Sequence, residues 1–267
     1  MKAPGSSLPP FPPLRQSPTR LHLRLRGEVE PLSEGTDRAR PKAGPDRPAP
    51  PAPRHVAVVG NAPEAGAIGA AVDRADWVFR FNNAQGFGGA TGRRLTHLFL
   101  MNFGGQTREW LDMPGFHRRA AVARAQGFVL PIDPGLEERR RPTPTMRKKA
   151  SGEHDWTPEL GARLRPLGHP VWLLRDPLFW AAQAALRDMG AEADPVPSTG
   201  FLALFLLVRH RPASLERIDV HGFGFGGWEG HSWAAERLWV ERQARDGRLR
   251  LHPCGAPRLE GASRSDS

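Results

Sequence analysis

The sequence predicts an α/β protein built on a single, mostly parallel sheet with helices on both faces. Two observations predict it. Short apolar runs alternate with helix-like stretches across residues 54–254, the pattern that a parallel sheet with crossover helices requires. The first run, VAVV at 56–59, passes straight into a turn, Gly60-Asn61-Ala62-Pro63, and then into an Ala-rich segment. In an open α/β sheet that turn is where a phosphate or nucleotide sits, because the strand ends there and unpaired helix N–H groups begin.

Taken in order, strand one is 55–59, and the helix after it places Ala65, Ile68, Ala71 and Val72 on one face, a stripe that can pack on a sheet. Strand two is 77–81 and ends at Asn82 and Asn83. A Gly-rich loop at 85–92 leads to strand three at 96–101, which ends at Asn102 and a Gly pair. Three strand ends thus carry Asn61, Asn82 and Asn102, whose amides can donate to and accept from a ribose, a base edge or a phosphate. Asn also caps helices and fills turns, so each residue alone stays open between the two roles. Residues 116–124 read as a basic helix, 128–131 as a short buried strand, and 133–155 as a charged loop rich in Arg and Pro, with its basic stretch at 139–149 in solvent. A strand at 171–174 and a helix at 177–189 with Pro at its start follow.

Composition bounds the possibilities. A chain of 267 residues with 39% hydrophobic content can bury a full core. The net charge of +10 comes with Arg spread among Ala, Gly and Pro, so it reads as a composition bias, and nucleic acid is not expected as a partner. One cysteine, Cys254, excludes an intramolecular disulfide and a cysteine zinc cluster, and a cytoplasmic location is expected. No apolar run approaches the roughly 20 residues of a membrane span, and none resembles a signal peptide. Residues 1–53, crowded with Pro, Arg, Ser and Gly, are expected to be a disordered tail apart from a strand-like alternation at 21–26. A start placed too far upstream would look the same. Residues 255–267 read as a second tail.

The second informative stretch is DPVPSTGFLALFLLVRHRPASLERIDVHGFGFGG at 194–227. Ser198 and Thr199 precede an apolar helix at 201–208, so their hydroxyls and the Gly200 amide cluster at a helix N-terminus. That geometry suits an anion, although Ser and Thr also cap helices that bind nothing. A strand at 217–221 ends in Gly222-Phe223-Gly224, where a ligand can lie close against the backbone. His231 and Glu236 stand near the start of an amphipathic helix within 228–243. Their spacing of five need not put them on one face, so the pair signals nothing by itself.

The joint pattern resembles the sialyltransferase family, the family 29 glycosyltransferases. VAVVGNAP, AVDRADWVFRFNNA and GFGGATGRRLTHLFL together resemble its large sialylmotif, and PSTGFLALFLLVRHRPASLERIDVHGFGF its small motif. His231, with four residues before Glu236, resembles its very small motif, and RLRL at 248–251 falls at the family's distance beyond. The resemblance covers about half of the chain and is nearest to the trimmed bacterial members. It implies a Rossmann-like sheet in a variant GT-A-like fold and a CMP-sugar donor held by Asn61 and Asn82. It further implies that Ser198, Thr199 and Gly200 sit against the ribose or phosphate, that His231 is the general base, and that the acceptor is a glycan or glycolipid. The implied reaction is an inverting single displacement. Imidazole, with an ordinary pKa near 6.5, can take a proton from an acceptor hydroxyl, and a positioned base is worth about 10²–10⁴-fold in rate. Negative charge on the departing CMP would be met by the helix N-terminus at Ser198. The sequence has no Asp-x-Asp motif at a strand end, so neither a metal nor a cofactor is expected, and Glu236 is expected to orient its helix rather than react.

The chain departs from the family in three ways. The cysteine pair of the animal members is absent, the third motif is missing because only residues 226–230 separate the small and very small motifs, and the chain contains no Tyr. These departures leave the nucleotide half of the pattern intact and leave open whether the sugar is sialic acid or a related keto acid such as Kdo. Two other readings compete: a relative that binds nucleotide without transferring sugar, and a dinucleotide oxidoreductase. The last is weakened because GNAPEAG lacks the G-x-G-x-x-G spacing.

Overall fold

The structure is a computed structural model describing residues 28–32, 52–134 and 154–254. In chain order the strands are β1 (Val29–Pro31), β2 (His55–Val59), β3 (Trp77–Phe81), β4 (His97–Phe99), β5 (Gly127–Leu130), β6 (Val171–Leu174), β7 (Arg217–His221) and β8 (Arg250–Leu251). The helices are α1 (Gly69–Val72), α2 (Gly104–Asp112), α3 (Ala120–Arg124), α4 (Thr157–Leu164), α5 (Asp176–Arg187), α6 (Thr199–Arg209) and α7 (Trp233–Arg245). Among the described residues the strands form one eight-stranded sheet in the order β1-β6-β5-β4-β3-β2-β7-β8, parallel throughout except for β1 against β6. From β2 the chain steps outward through β3 to β6, then returns to the other side of β2 for β7 and β8. The carboxyl ends of β2 and β7 therefore flank a topological switch, where an α/β sheet opens a crevice.

The central strands are buried on both faces, as parallel strands between helices must be; Val56, Ala57 and Val58 are all 0% exposed. One face packs Val58, Phe79 and Val220 against α5, α6 and α7 through Leu178, Leu202, Leu206 and Trp239. The other packs Leu98, Leu100, Phe128 and Leu130 against α2, α3 and α4 through Trp110, Val122, Leu160 and Leu164. A smaller cluster seats Val72 of α1 on Ala57, Val59 and Val78. Among the described residues no helix is long and apolar enough to cross a membrane.

Four expectations need correction. Within the stretch read as a tail, Val29–Pro31 forms an edge strand antiparallel to β6, and the buried Glu28 beside it pairs with Arg209 and His210. Three residues are too few to show a period of two, and Pro31 needs no ladder N–H at an edge. The expected Ala-rich helix after β2 is a 3-10 turn at Pro63–Ala65 followed by the four-residue α1, with Gly66 at φ 74° between them. Ala65 and Val72 are buried as the stripe required, while Ile68 is half-buried. The basic helix expected at 116–124 is a 3-10 turn, Phe116–Arg118, and α3, separated at Arg119. The third strand, His97–Phe99, is shorter than 96–101: at its start the Thr96 N–H still donates to the Val78 carbonyl, but the Val78 N–H is taken by the Thr96 hydroxyl in place of a backbone carbonyl. The strand-like alternation at 21–26, the basic loop at 139–149 and the tail at 255–267 lie outside the described residues.

Candidate functional site

A cavity of about 950 Å³ opens at the switch point. Asn61, Asn82, Ser198, Thr199, Gly200 and His231 all line it, and Asn102 does not. Its volume lies at the upper end of the range typical of small-molecule sites.

The floor of the cavity is the junction of β2 and β7. The Gly60 N–H donates to the His221 carbonyl at 2.8 Å and the Ala62 N–H to the Gly222 carbonyl at 3.0 Å, which brings the two strand ends together. Gly60 has no room for a side chain, since a Cβ there would stand 2.3 Å from the Gly222 carbonyl oxygen, and Gly222 sits at φ 65°, a conformation that L side chains rarely adopt. Asn61 is fixed by both ends of its amide, donating to the Phe81 carbonyl (3.1 Å) and accepting from the Gln85 N–H (2.8 Å). Asn82, in the left-handed region at φ 51°, accepts from the Met101 N–H at 2.9 Å. Asn102 has a structural role. Fully buried, it donates to the Ile132 carbonyl and to Thr157 Oγ1 and accepts from the Ile132 N–H, so it pins the end of β4 to α4.

The start of α6 forms one wall. Ser198 is the N-cap, its hydroxyl accepting from the Phe201 N–H at 3.1 Å and donating to Glu236 Oε2 at 2.7 Å. Its own N–H donates to Glu236 Oε1, also at 2.7 Å. With the Ser198 hydroxyl occupied in both directions, the groups left for an anion are the Thr199 and Gly200 amides, which have no hydrogen-bond partner among the described residues. The lining contains no Lys or Arg among the described residues, so positive potential comes from the helix end. Glu236 reaches across from the first turn of α7 and ties the two helices together.

Burial pushes the Glu236 carboxyl up to about 7, against the hydrogen bonds from Ser198 that oppose the shift. The neutral form is therefore the one the fold favours. The stability it contributes is fully present below about 4.5 and is lost as pH rises through about 7, a change on the order of 3 kcal/mol. Urea unfolding is expected to show that fall between pH 5 and 7, and Glu236→Gln to flatten it while keeping the contacts to Ser198. An equal slope in both proteins would remove Glu236 as the source.

His231 lies just before α7. Its Nδ1 is 2.8 Å from the Val196 carbonyl, which can only accept, so Nδ1 carries the proton and the neutral ring holds its lone pair on Nε2. Trp228 and Trp233 meet the ring edge-on at 4.8 and 5.0 Å. The sequence reading missed these aromatic walls, which also include Phe223 and Phe225. The alternation of Phe with Gly in HGFGFGGW at 221–228 carried the signal, since each Gly brings backbone close and each Phe faces a hollow.

No family model matches the chain. It is 26% identical over 209 residues to the urease operon 23 kDa accessory protein of Rhizobium meliloti (strain 1021), a match covering 75% of this chain and 94% of that protein. Among solved structures it is similar to a mammalian sialyltransferase, with a TM-score of 0.48 and 19% identity over 76% of this chain and 70% of that one. It is also similar to the sialyltransferase CstII from Campylobacter jejuni in complex with the substrate analogue cytidine-5'-monophosphate, with a TM-score of 0.43 and 12% identity over 77% of this chain and 81% of that one.

Proposed function

We propose that this chain is an inverting glycosyltransferase that moves a CMP-activated acidic sugar, sialic acid or a related keto acid, onto the hydroxyl of a glycan or glycolipid acceptor. One observation carries the reading: the Asn61 turn, Asn82, the start of α6 and His231 line one cavity of about 950 Å³ at the switch point. The three sequence motifs that resemble those of sialyltransferases supply these same residues. CMP lies across the ends of β2 and β3, its ribose beside Asn61 and Asn82 and its phosphate against the Thr199 and Gly200 amides. Ser198 acts by capping and by its link to Glu236, and does not touch the donor through its hydroxyl.

In the transfer step His231 Nε2 takes the proton from the acceptor O–H as that oxygen bonds to the anomeric carbon. The bond from that carbon to the phosphate oxygen breaks, and its electron pair leaves with CMP. Charge growing on the phosphate is met by the N-terminus of α6, so no metal is assigned to the step. Trp228 and Trp233 give the acceptor end an apolar wall beside the base.

Calorimetry with CMP and NAD tests the nucleotide half of the reading. CMP is expected to bind and NAD not to, and the reverse would restore the dinucleotide reading. A second reading, nucleotide binding without transfer, is favoured by the likeness to the Rhizobium relative, a urease operon accessory protein. Turnover of any CMP-sugar in a donor screen decides against it, and CMP binding with no turnover across the screen decides for it.

A further inference from the structure

A cluster at the edge of the sheet, outside the cavity lining, has the composition of a metal site. Asp219 and His221 are two residues apart on β7 and so point to one face. The pairing of Val220 with Leu251 brings the following residue, His252, alongside, its N–H donating to the Val220 carbonyl at 2.9 Å. The His221 and His252 rings stack 4.1 Å apart, and one ligand atom from each of Asp219, His221 and His252 lies within 4.8 Å of the other two.

We propose that Asp219, His221 and His252 bind a divalent transition-metal ion of the zinc, cobalt and nickel class, which fastens the two-residue strand β8 to β7. Two imidazoles and a carboxylate are the donor set these ions prefer over magnesium or calcium. The carboxylate is oriented for the task. Oδ2 of Asp219 is held by His55 Nε2 at 2.8 Å and Arg217 Nε at 3.1 Å, while Oδ1 faces His252 Nε2 at 3.3 Å. Outer partners of this kind fix metal ligands elsewhere. His221 is 4% exposed and its Nδ1 is buried with no hydrogen-bond partner among the described residues. Such atoms are rare in folded proteins, and binding an ion is one of the recognised reasons for them. His252, with its side chain 45% exposed, has room to turn its ring and shorten the 4.8 Å span, and it gives the ion a path from solvent. A fastening role follows from place: β8 has two residues at a sheet edge, and Gly222, next to His221, forms part of the cavity floor.

The test titrates zinc chloride into the full-length metal-free chain by calorimetry and follows cobalt(II) by its visible absorption. One ion per chain is expected, with cobalt bands typical of mixed nitrogen and oxygen ligation. His252→Ala, at an exposed position that leaves the core untouched, is expected to weaken zinc binding about 10-fold or more, as is Asp219→Asn. His169→Ala, away from the cluster, should leave it unchanged. Zinc is also expected to slow proteolysis near residue 250 in wild type and not in His252→Ala. No binding at about 100 μM zinc, or equal affinity in wild type and His252→Ala, would overturn the proposal. The proposal is independent of the transferase reading and survives its failure.

Discussion

His231→Ala is expected to lower turnover of a CMP-sugar by about 10²–10⁴-fold while leaving CMP affinity within a few-fold of wild type. The split follows from where the ring sits. Its Nδ1 is tied to the Val196 carbonyl and its edges face Trp228 and Trp233, whereas the groups assigned to the nucleotide are the Asn61 turn and the Thr199 and Gly200 amides. Removing the imidazole takes away the proton acceptor and leaves the helix end as it was. The effect should therefore fall on kcat, with KM for the donor almost unmoved, because the lost interaction develops only as the acceptor proton transfers. His231→Gln serves as a second variant, since its amide can still donate to Val196 but cannot act as a base. Turnover that survives both substitutions would remove His231 from the chemistry and leave a nucleotide-binding cavity with another base, or with none.

Strands β2, β3 and β6 were legible in the sequence because each is a compact run of mostly β-branched or large apolar residues, bounded by turn residues and buried; β7, RIDVH, was legible from the glycines that end it. The cap at Ser198 was legible for a similar reason: Ser-Thr-Gly before an unbroken apolar helix leaves few other conformations. The helices α2 and α4 were not legible. In GGQTREWLD only Thr107 and Trp110 are buried, so the chain shows little apolar period to read. Helix α4 gains its place from a distant partner, the Asn102 amide holding Thr157 across 55 residues of sequence. The same limit applied within the site. Asn61, Asn82 and Asn102 looked equivalent at three strand ends, and only the fold separates two that line the cavity from one that pins β4. Likewise the spacing of His231 and Glu236 could not reveal that the glutamate serves Ser198, because that contact joins two helices 38 residues apart.

Gly60→Ala is expected to destabilise the fold by about 3 kcal/mol or more and to weaken CMP binding at least about 10-fold. The added Cβ would stand 2.3 Å from the Gly222 carbonyl oxygen and 2.9 Å from both its carbonyl carbon and Phe223 Cδ2. Two of these three atoms are backbone, which cannot swing aside as the end of a long side chain can. The strand ends must part by roughly 1 Å to restore ordinary contact distances. Parting them stretches the bonds from Gly60 to His221 and from Ala62 to Gly222, which join β2 to β7 at the cavity floor. It also moves Phe223, whose ring closes the wall against Gly200 at 3.0 Å from that residue's Cβ position. Gly89→Ala is the control: a Cβ there meets only the Gly86 oxygen at 3.7 Å, so stability should change by no more than about 0.5 kcal/mol. If Gly60→Ala melted and bound CMP as wild type does, β2 and β7 would not approach this closely in solution. The cavity would then lose the floor on which the placement of the nucleotide depends.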